Sequence, residues 1–87
     1  MTVLEILENN GIIVDDTKEI LQIDGFEKAL VGITDDDRLV YSYEKMVEIM
    51  MEEGADKYDA MDYVDYNIMR FQGYISRHPI VVYEIDQ

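Results

Sequence analysis

Hydrophobic and polar positions follow two helical patterns in the middle of the chain, over residues 41–73. Ser42 and Asp56 stand directly before these patterns, where side-chain oxygens commonly cap helix N-termini. Gly54 and Gly73 stand directly after them, where glycine commonly ends helices. The sequence therefore predicts a helical hairpin in which the first helix ends at Gly54 and the second at Gly73.

The second predicted helix has two faces of different composition. Ala60, Val64, Ile68 and Phe71 recur at helical spacing with Met61 beside them, which indicates a core-facing stripe. The outer face holds Asp59, Asp62, Tyr66 and Met69, flanked by Tyr58, Tyr63 and Asp65. Asn67 falls at the edge of the apolar stripe, and its amide is expected to bond a neighbouring backbone group.

The first predicted helix combines a wide apolar face with a row of glutamates. Its apolar residues are Met46, Val47, Ile49, Met50 and Met51, which cover more than half of the circumference. They form either core alone, because methionine fills irregular gaps, or a dimer or partner surface in addition. Glu44, Glu48 and Glu52 recur every fourth residue, either as a solvated polar face or as charges that a basic groove could bind.

Shorter elements are predicted before the hairpin. Thr2 caps a short helix whose apolar side is formed by Val3, Leu4, Ile6 and Leu7 and which ends over residues 9–11. Residues 12–14 form a β-branched run, residues 15–17 form a turn or cap, and residues 18–23 remain open between strand and helix. Asp24 and Gly25 interrupt the preceding structure.

Strand patterns occur over residues 26–33, 38–41 and 80–85, with a polar turn at 34–37 and Pro79 opening the last strand. We therefore predict one domain, residues 1–87, of the α+β class. In it a small antiparallel sheet of about three strands packs against the helical hairpin, with a short N-terminal helix.

Charge narrows the classes of partner. The 87 residues include 20 Asp and Glu against 7 Lys and Arg, a net charge of -13. Such a charge disfavours direct binding to nucleic acid or to an anionic membrane. There is no cysteine, and no apolar run approaches the length of a membrane span. A cytoplasmic protein is the expectation.

Catalytic and metal-binding patterns are weak in this sequence. His78 is the single histidine, and no cysteine is present to complete a transition-metal site. The acidic turn at residues 35–37 lacks the ligand spacing of a calcium loop. Because no glycine-rich phosphate loop or nucleophile elbow occurs either, we predict no enzymatic activity, no cofactor and no metal site.

The stretch from residue 29 to 83 resembles a group of uncharacterised small acidic proteins from bacteria and their phages. The matching residues are Ala29, Leu30, Val31, Gly32, Leu39, Val40, Tyr41, Ser42, Tyr43, Glu44, Lys45, Met46, Tyr63, Val64, Asp65, Tyr66, Asn67, Pro79, Ile80 and Val81. The resemblance implies a phage or mobile-element context without catalytic residues to transfer. Proteins of this class resemble inhibitors of host nucleic-acid machinery, including anti-restriction and anti-CRISPR proteins.

These observations favour a binding protein that occupies the basic groove of a host nucleic-acid-binding protein by nucleic-acid mimicry. The predicted partner-binding residues are Glu44, Glu48, Glu52, Tyr58, Asp59, Asp62, Tyr63, Asp65, Tyr66 and Met69. The alternative is a self-associating structural or regulatory module, with a homodimer formed through the Met-rich helix and acidity serving solubility. A metal-dependent enzyme is the third hypothesis, which would require the carboxylates to bind a divalent cation.

Overall fold

A computed structural model describes residues 2–13, 20–71 and 78–85, and it confirms the predicted α+β class. Three α-helices and a three-stranded sheet make up the described part. In chain order they are α1 (Val3–Asn9), β1 (Leu30–Ile33), β2 (Leu39–Ser42), α2 (Tyr43–Glu52), α3 (Lys57–Asn67) and β3 (Ile80–Val82). Short 3-10 helices occupy Glu27–Ala29 and Met69–Phe71.

Helix α1 begins where its cap predicts. The Thr2 hydroxyl accepts a hydrogen bond from the Glu5 backbone N–H at 3.2 Å. Val3 and Leu7 are buried, which places one i, i+4 pair in the core. Leu4 is exposed, so its predicted place on the apolar side is wrong: it lies about 100° around the helix from Val3.

Between α1 and the 3-10 helix Glu27–Ala29, the described residues 10–13 and 20–26 form no helix or strand. The predictions for residues 14–19 lie outside the described residues. Asp24 and Gly25, where an interruption is predicted, form a turn, with Gly25 at a φ of 87° that favours glycine. The Ile23 backbone N–H donates to the Tyr41 hydroxyl at 3.1 Å, which fixes this segment to the sheet.

Strands β1 and β2 form the predicted antiparallel hairpin. Strand β1 is shorter than predicted, because the 3-10 helix Glu27–Ala29 occupies the residues before it. In the turn, the Thr34 hydroxyl accepts a hydrogen bond from the Arg38 N–H at 2.9 Å and donates one to the Asp36 carboxylate. The acidic turn is thus organised by local hydrogen bonds.

Strand β3 pairs with β2 in parallel, so the prediction of a wholly antiparallel sheet is wrong. The chain between β2 and β3 contains α2 and α3, and such a helical crossover can return the chain for parallel pairing. Strand β3 also ends at Val82, before the predicted residue 85. Arg38 fixes its entry, since Nε and Nη2 donate to the His78 carbonyl at 3.0 and 2.7 Å.

Helices α2 and α3 form the predicted hairpin, and each begins at its predicted cap. Lys45 N–H donates to the Ser42 hydroxyl at 3.2 Å, and Asp59 N–H donates to the Asp56 carboxylate at 2.9 Å. Helix α2 ends just before Gly54, whose φ is 111°.

Helix α3 ends at Asn67, so its predicted extension to Gly73 is wrong. The Asn67 side chain donates to the Tyr63 carbonyl at 3.1 Å, a contact within its own helix. Asparagine competes in this way with regular helical hydrogen bonding, and a 3-10 turn follows. Gly73 itself lies outside the described residues.

The core combines residues of the sheet, the hairpin and α1. Ala60, Val64 and Ile68 are buried as predicted, whereas the side chain of Phe71 lies outside the described part. On the sheet, Leu39 and Tyr41 are fully buried. The remaining buried hydrophobic residues of the core are Val3, Leu7, Phe26, Ala29, Tyr43, Met46, Val47 and Val81.

Candidate functional site

The outer side of α3 presents three aspartates and three tyrosines to solvent. We call these residues the α3 face: Tyr58, Asp59, Asp62, Tyr63, Asp65 and Tyr66. At 100° per residue they span an arc of about 160° on the side away from Ala60 and Val64. Tyr58 is 77% exposed and Tyr66 65% exposed, so these rings contribute little to the core. The predicted exposure of this face is confirmed for these six residues.

Met69 does not belong to the α3 face, and its predicted position there is wrong. Because α3 ends at Asn67, Met69 lies in the following 3-10 turn and packs partly buried against the core. Arg70, from the same turn, places its guanidinium carbon 4.7 Å from the centre of the Tyr66 ring. A cation–π contact of this kind orients the Tyr66 ring at one end of the face.

Asp65 also has a structural contact. Its carboxylate accepts a hydrogen bond from the hydroxyl of Tyr43, which lies at the start of α2 and is buried. Burial, followed by the charge and hydrogen bond of Asp65, raises the pKa of Tyr43 to about 12. The protonated phenol is therefore strongly favoured, and the pair ties the end of α3 to the start of α2.

The predicted glutamate row of α2 divides into residues with different surroundings. The carboxylate of Glu44 accepts a hydrogen bond from the Glu84 backbone N–H at 2.6 Å, and Glu44 is half-buried. Glu48 is exposed beside a groove between the two helices. Glu52 is exposed too, but it lines a separate cleft with Glu27 and Lys28. The three carboxylates therefore do not form one uniform surface.

The segment after β3 closes over the start of α2 through a group of contacts that we call the C-terminal clamp, formed by Ser42, Glu44, Lys45 and Glu84. Ser42 Oγ donates to Glu84 Oε2 at 2.9 Å, and Lys45 Nζ lies 3.9 Å from Glu84 Oε1. The neighbouring Tyr83 ring stacks at a tilt on Tyr43, with the ring centres 4.8 Å apart. These contacts support the helix end to which Asp65 is joined.

Sequence reasoning missed Tyr43 and Glu84 because their partners are distant along the chain. Tyr43 reads as one more residue of an apolar helix, and Glu84 lies 42 residues from Ser42. The available signal is the alternation over residues 80–85, which places Glu84 on the same side as Ile80 and Val82.

A groove of about 420 Å³ runs between α2 and the start of α3. Its lining residues, which define what we call the hairpin groove, are Tyr43, Glu44, Val47, Glu48, Met51, Lys57 and Met61. Val47 is buried and Met61 half-buried, whereas Met51 is 43% exposed. The groove therefore has an apolar floor with charged side chains beside it.

The Met-rich face of α2 is used mostly inside the domain. Met46 is fully buried and Val47 nearly so, while Ile49 and Met50 pack half-buried against the core. Of the five predicted apolar residues, only the last, Met51, is exposed. The wide apolar face of α2 is therefore mostly buried, and Met51 is its one exposed residue, beside the hairpin groove.

Metal-binding and membrane-spanning features are absent from the described residues. Within residues 2–13, 20–71 and 78–85, no group of three or more His, Cys, Asp or Glu side chains could hold a metal ion. In the same part of the chain, no helix combines the length and apolar character required to cross a bilayer.

The hairpin helices α2 and α3 thus bring together the α3 face, the hairpin groove and the clamped start of α2. Comparisons with known proteins add no relative to this picture: no protein-family model, curated protein or solved structure matches the chain.

Proposed function

We propose that this chain is a small acidic binding protein that occupies the basic groove of a host nucleic-acid-binding protein by nucleic-acid mimicry. The resemblance to small acidic bacterial and phage proteins supports a phage or mobile-element origin and an inhibitory role like that of anti-restriction or anti-CRISPR proteins. One observation carries the proposal: α3 exposes three carboxylates and three phenol rings on one continuous arc.

Carboxylate spacing on the α3 face supports mimicry of a phosphate strand. Asp59, Asp62 and Asp65 recur every third residue, which corresponds to about 4.5 Å of helical rise per step. Phosphates of one DNA strand advance about 3.4 Å along the duplex axis. The charge density along α3 is therefore of the same order as that of a single strand, although it extends over only two helical turns.

The tyrosines of the α3 face offer ring area and hydroxyl groups for contact with a partner, in addition to the charge of the carboxylates. Tyrosine is enriched in the cores of protein interfaces because it buries a large ring and keeps a hydroxyl for hydrogen bonding. Tyr58 and Tyr63 stand exposed among the carboxylates, and Tyr66 is oriented by Arg70. Electrostatic attraction would speed the encounter with a basic partner, and the rings would lengthen the lifetime of the complex.

Affinity capture from a bacterial lysate at low salt tests this proposal. We expect recovery of a nuclease, polymerase or other DNA-binding protein, with release on raising the salt and on adding competing duplex DNA. Recovery of no nucleic-acid-handling protein would contradict the proposal, and so would a captured partner that DNA does not displace.

A matched pair of charge reversals locates the binding surface. Asp62→Lys changes an exposed helical position on the α3 face, and Glu8→Lys makes the same charge change at an exposed helical position on α1. We expect Asp62→Lys to weaken partner binding about tenfold or more and Glu8→Lys to have a much smaller effect. Equal losses for the two variants would show that net charge, and not the α3 face, determines binding.

A further inference from the structure

We propose that the hairpin groove holds one apolar side chain from a basic segment of the partner, with lysine or arginine residues on either side of it. This inference rests on the proposed function and deepens it by naming the chemistry of the contact. The groove is lined by Glu44 and Glu48 of α2 and by Lys57 and Met61 of α3. At 100° per residue Met61 lies about 40° around α3 from Asp65 of the α3 face, so one bound segment can contact both surfaces.

Groove dimensions fit a side chain better than a long helix. Tyr43, Val47 and Met51 follow one another at every fourth position along α2, a rise of about 12 Å. That distance corresponds to roughly three or four residues of extended chain. With a volume of about 420 Å³, the groove accommodates one large aliphatic or aromatic side chain and part of its backbone.

Charge around the groove selects a basic occupant. Glu44 and Glu48 line its α2 side, and Lys57 is the lining cation on the α3 side. A lysine or arginine next to the inserted side chain would face Glu48, which is exposed. Because the chain carries a net charge of -13, a second copy would bring like charges onto the same rim, and a basic segment is complementary to it.

The exposed position of Met51 makes the inference testable without disturbing the core. Its side chain is 43% exposed, so Met51→Gln removes apolar character from the groove while keeping a similar length and the same charge. Leu4→Gln is the matched control, because Leu4 is 52% exposed on a different helix. Circular dichroism of both variants verifies that the fold is retained.

Binding is measured with two synthetic peptides of equal charge, one lysine-rich with a central leucine and one with serine in its place. At low salt we expect the wild-type protein and Leu4→Gln to prefer the leucine peptide about tenfold, the ratio expected for burying one such side chain. Met51→Gln should reduce this preference to about threefold or less. Glu48→Gln should weaken binding of both peptides by a similar factor.

Three results would overturn the inference. Equal binding of the two peptides by the wild-type protein would show that no apolar side chain is held, and an unchanged preference in Met51→Gln would place the contact elsewhere. A wild-type dimer in sedimentation that Met51→Gln dissociates would assign the groove to a second copy instead.

The same variants separate failure of this inference from failure of the proposed function. A captured nucleic-acid-handling partner whose binding depends on Asp62 but not on Met51 would leave the function standing and remove the groove. If the preference for the leucine peptide depends on Met51 but the lysate yields no nucleic-acid-handling partner, the groove inference stands and the proposed function fails.

Discussion

Replacing Ser42 by alanine tests how the fold secures the start of α2. Ser42 is fully buried, and its hydroxyl serves two neighbours at once. It accepts the Lys45 N–H at 3.2 Å as the helix cap, and it donates to Glu84 Oε2 at 2.9 Å in the C-terminal clamp. The substitution therefore removes a local and a long-range hydrogen bond together.

The expected loss follows from these two bonds. Removing a serine cap costs about 1 kcal/mol. A hydrogen bond to a carboxylate is worth about 1.5–3 kcal/mol when buried, but the Glu84 side chain is 45% exposed, so we take about 1 kcal/mol. The sum, about 2 kcal/mol, is a large fraction of the roughly 4–13 kcal/mol typical of a domain of this size. It corresponds to a fall in Tm of about 8–16 °C.

Urea unfolding followed by circular dichroism measures this loss for Ser42→Ala, Glu84→Ala and the double variant. We expect the sum of the two single losses in unfolding free energy to exceed the loss in the double variant by about 1 kcal/mol. Both single variants remove the same hydrogen bond, between Ser42 and Glu84, so the sum counts it twice. Asp56→Ala, which removes the exposed cap of α3, should cost about half as much as Ser42→Ala. Additive single losses, or a Ser42→Ala loss below about 0.5 kcal/mol, would refute the two-bond account.

Three further predictions concern the titration, charge and backbone of the protein. Because the Tyr43 pKa is raised from 10.0 to about 12, the folded protein holds the phenol proton more tightly than the unfolded chain does. The resulting contribution to the unfolding free energy is present below pH 10 and is lost as pH rises toward 12. In Tyr43→Phe the unfolding free energy should therefore fall less steeply with pH over that range. Part of the fall should remain, because the pKa of Tyr41 is also raised. An unchanged slope would contradict this prediction. The net charge of -13 predicts that Tm rises when NaCl is added at neutral pH, and a Tm that falls in calorimetry would contradict dominant self-repulsion. Gly54→Ala should lower the free energy of unfolding in urea by about 1–2 kcal/mol, because the φ of Gly54 is 111°. Gly32→Ala is the control, since Gly32 has a negative φ and open space where a Cβ would lie. Equal losses in the two variants would exclude backbone strain as the cause.

Local signals in the sequence predicted the elements of this fold where the cause is itself local. Thr2, Ser42 and Asp56 each cap a helix through a side chain that bonds a backbone N–H three residues later. Such a bond depends on neighbouring residues alone, so it can be inferred from their order. The buried stripe of Ala60 and Val64 follows in the same way from helical periodicity.

Features that depend on distant residues could not be predicted in the same way. The parallel pairing of β3 is set by how the helical hairpin returns the chain, and the alternation over residues 80–85 is the same in either direction of pairing. The division of the glutamate row also depends on tertiary neighbours. Glu44 bonds the Glu84 backbone, while Glu52 lines another cleft together with Glu27, although all three glutamates share one helical spacing.

The composition of the α3 face is not explained by the needs of the fold. Helix α3 contacts the core through Ala60 and Val64, with Ile68 following directly after it. On its outer face Asp65 interacts with Tyr43 of α2, and Tyr66 contacts Arg70. The carboxylates of this face add to a net charge that already opposes compactness, and the Tyr58 ring is 77% exposed. Polar residues of higher helix propensity would favour the helix itself at Tyr58 and Asp62. The exposed rings and the negative charge at these positions are therefore the features on which the proposed partner contact rests.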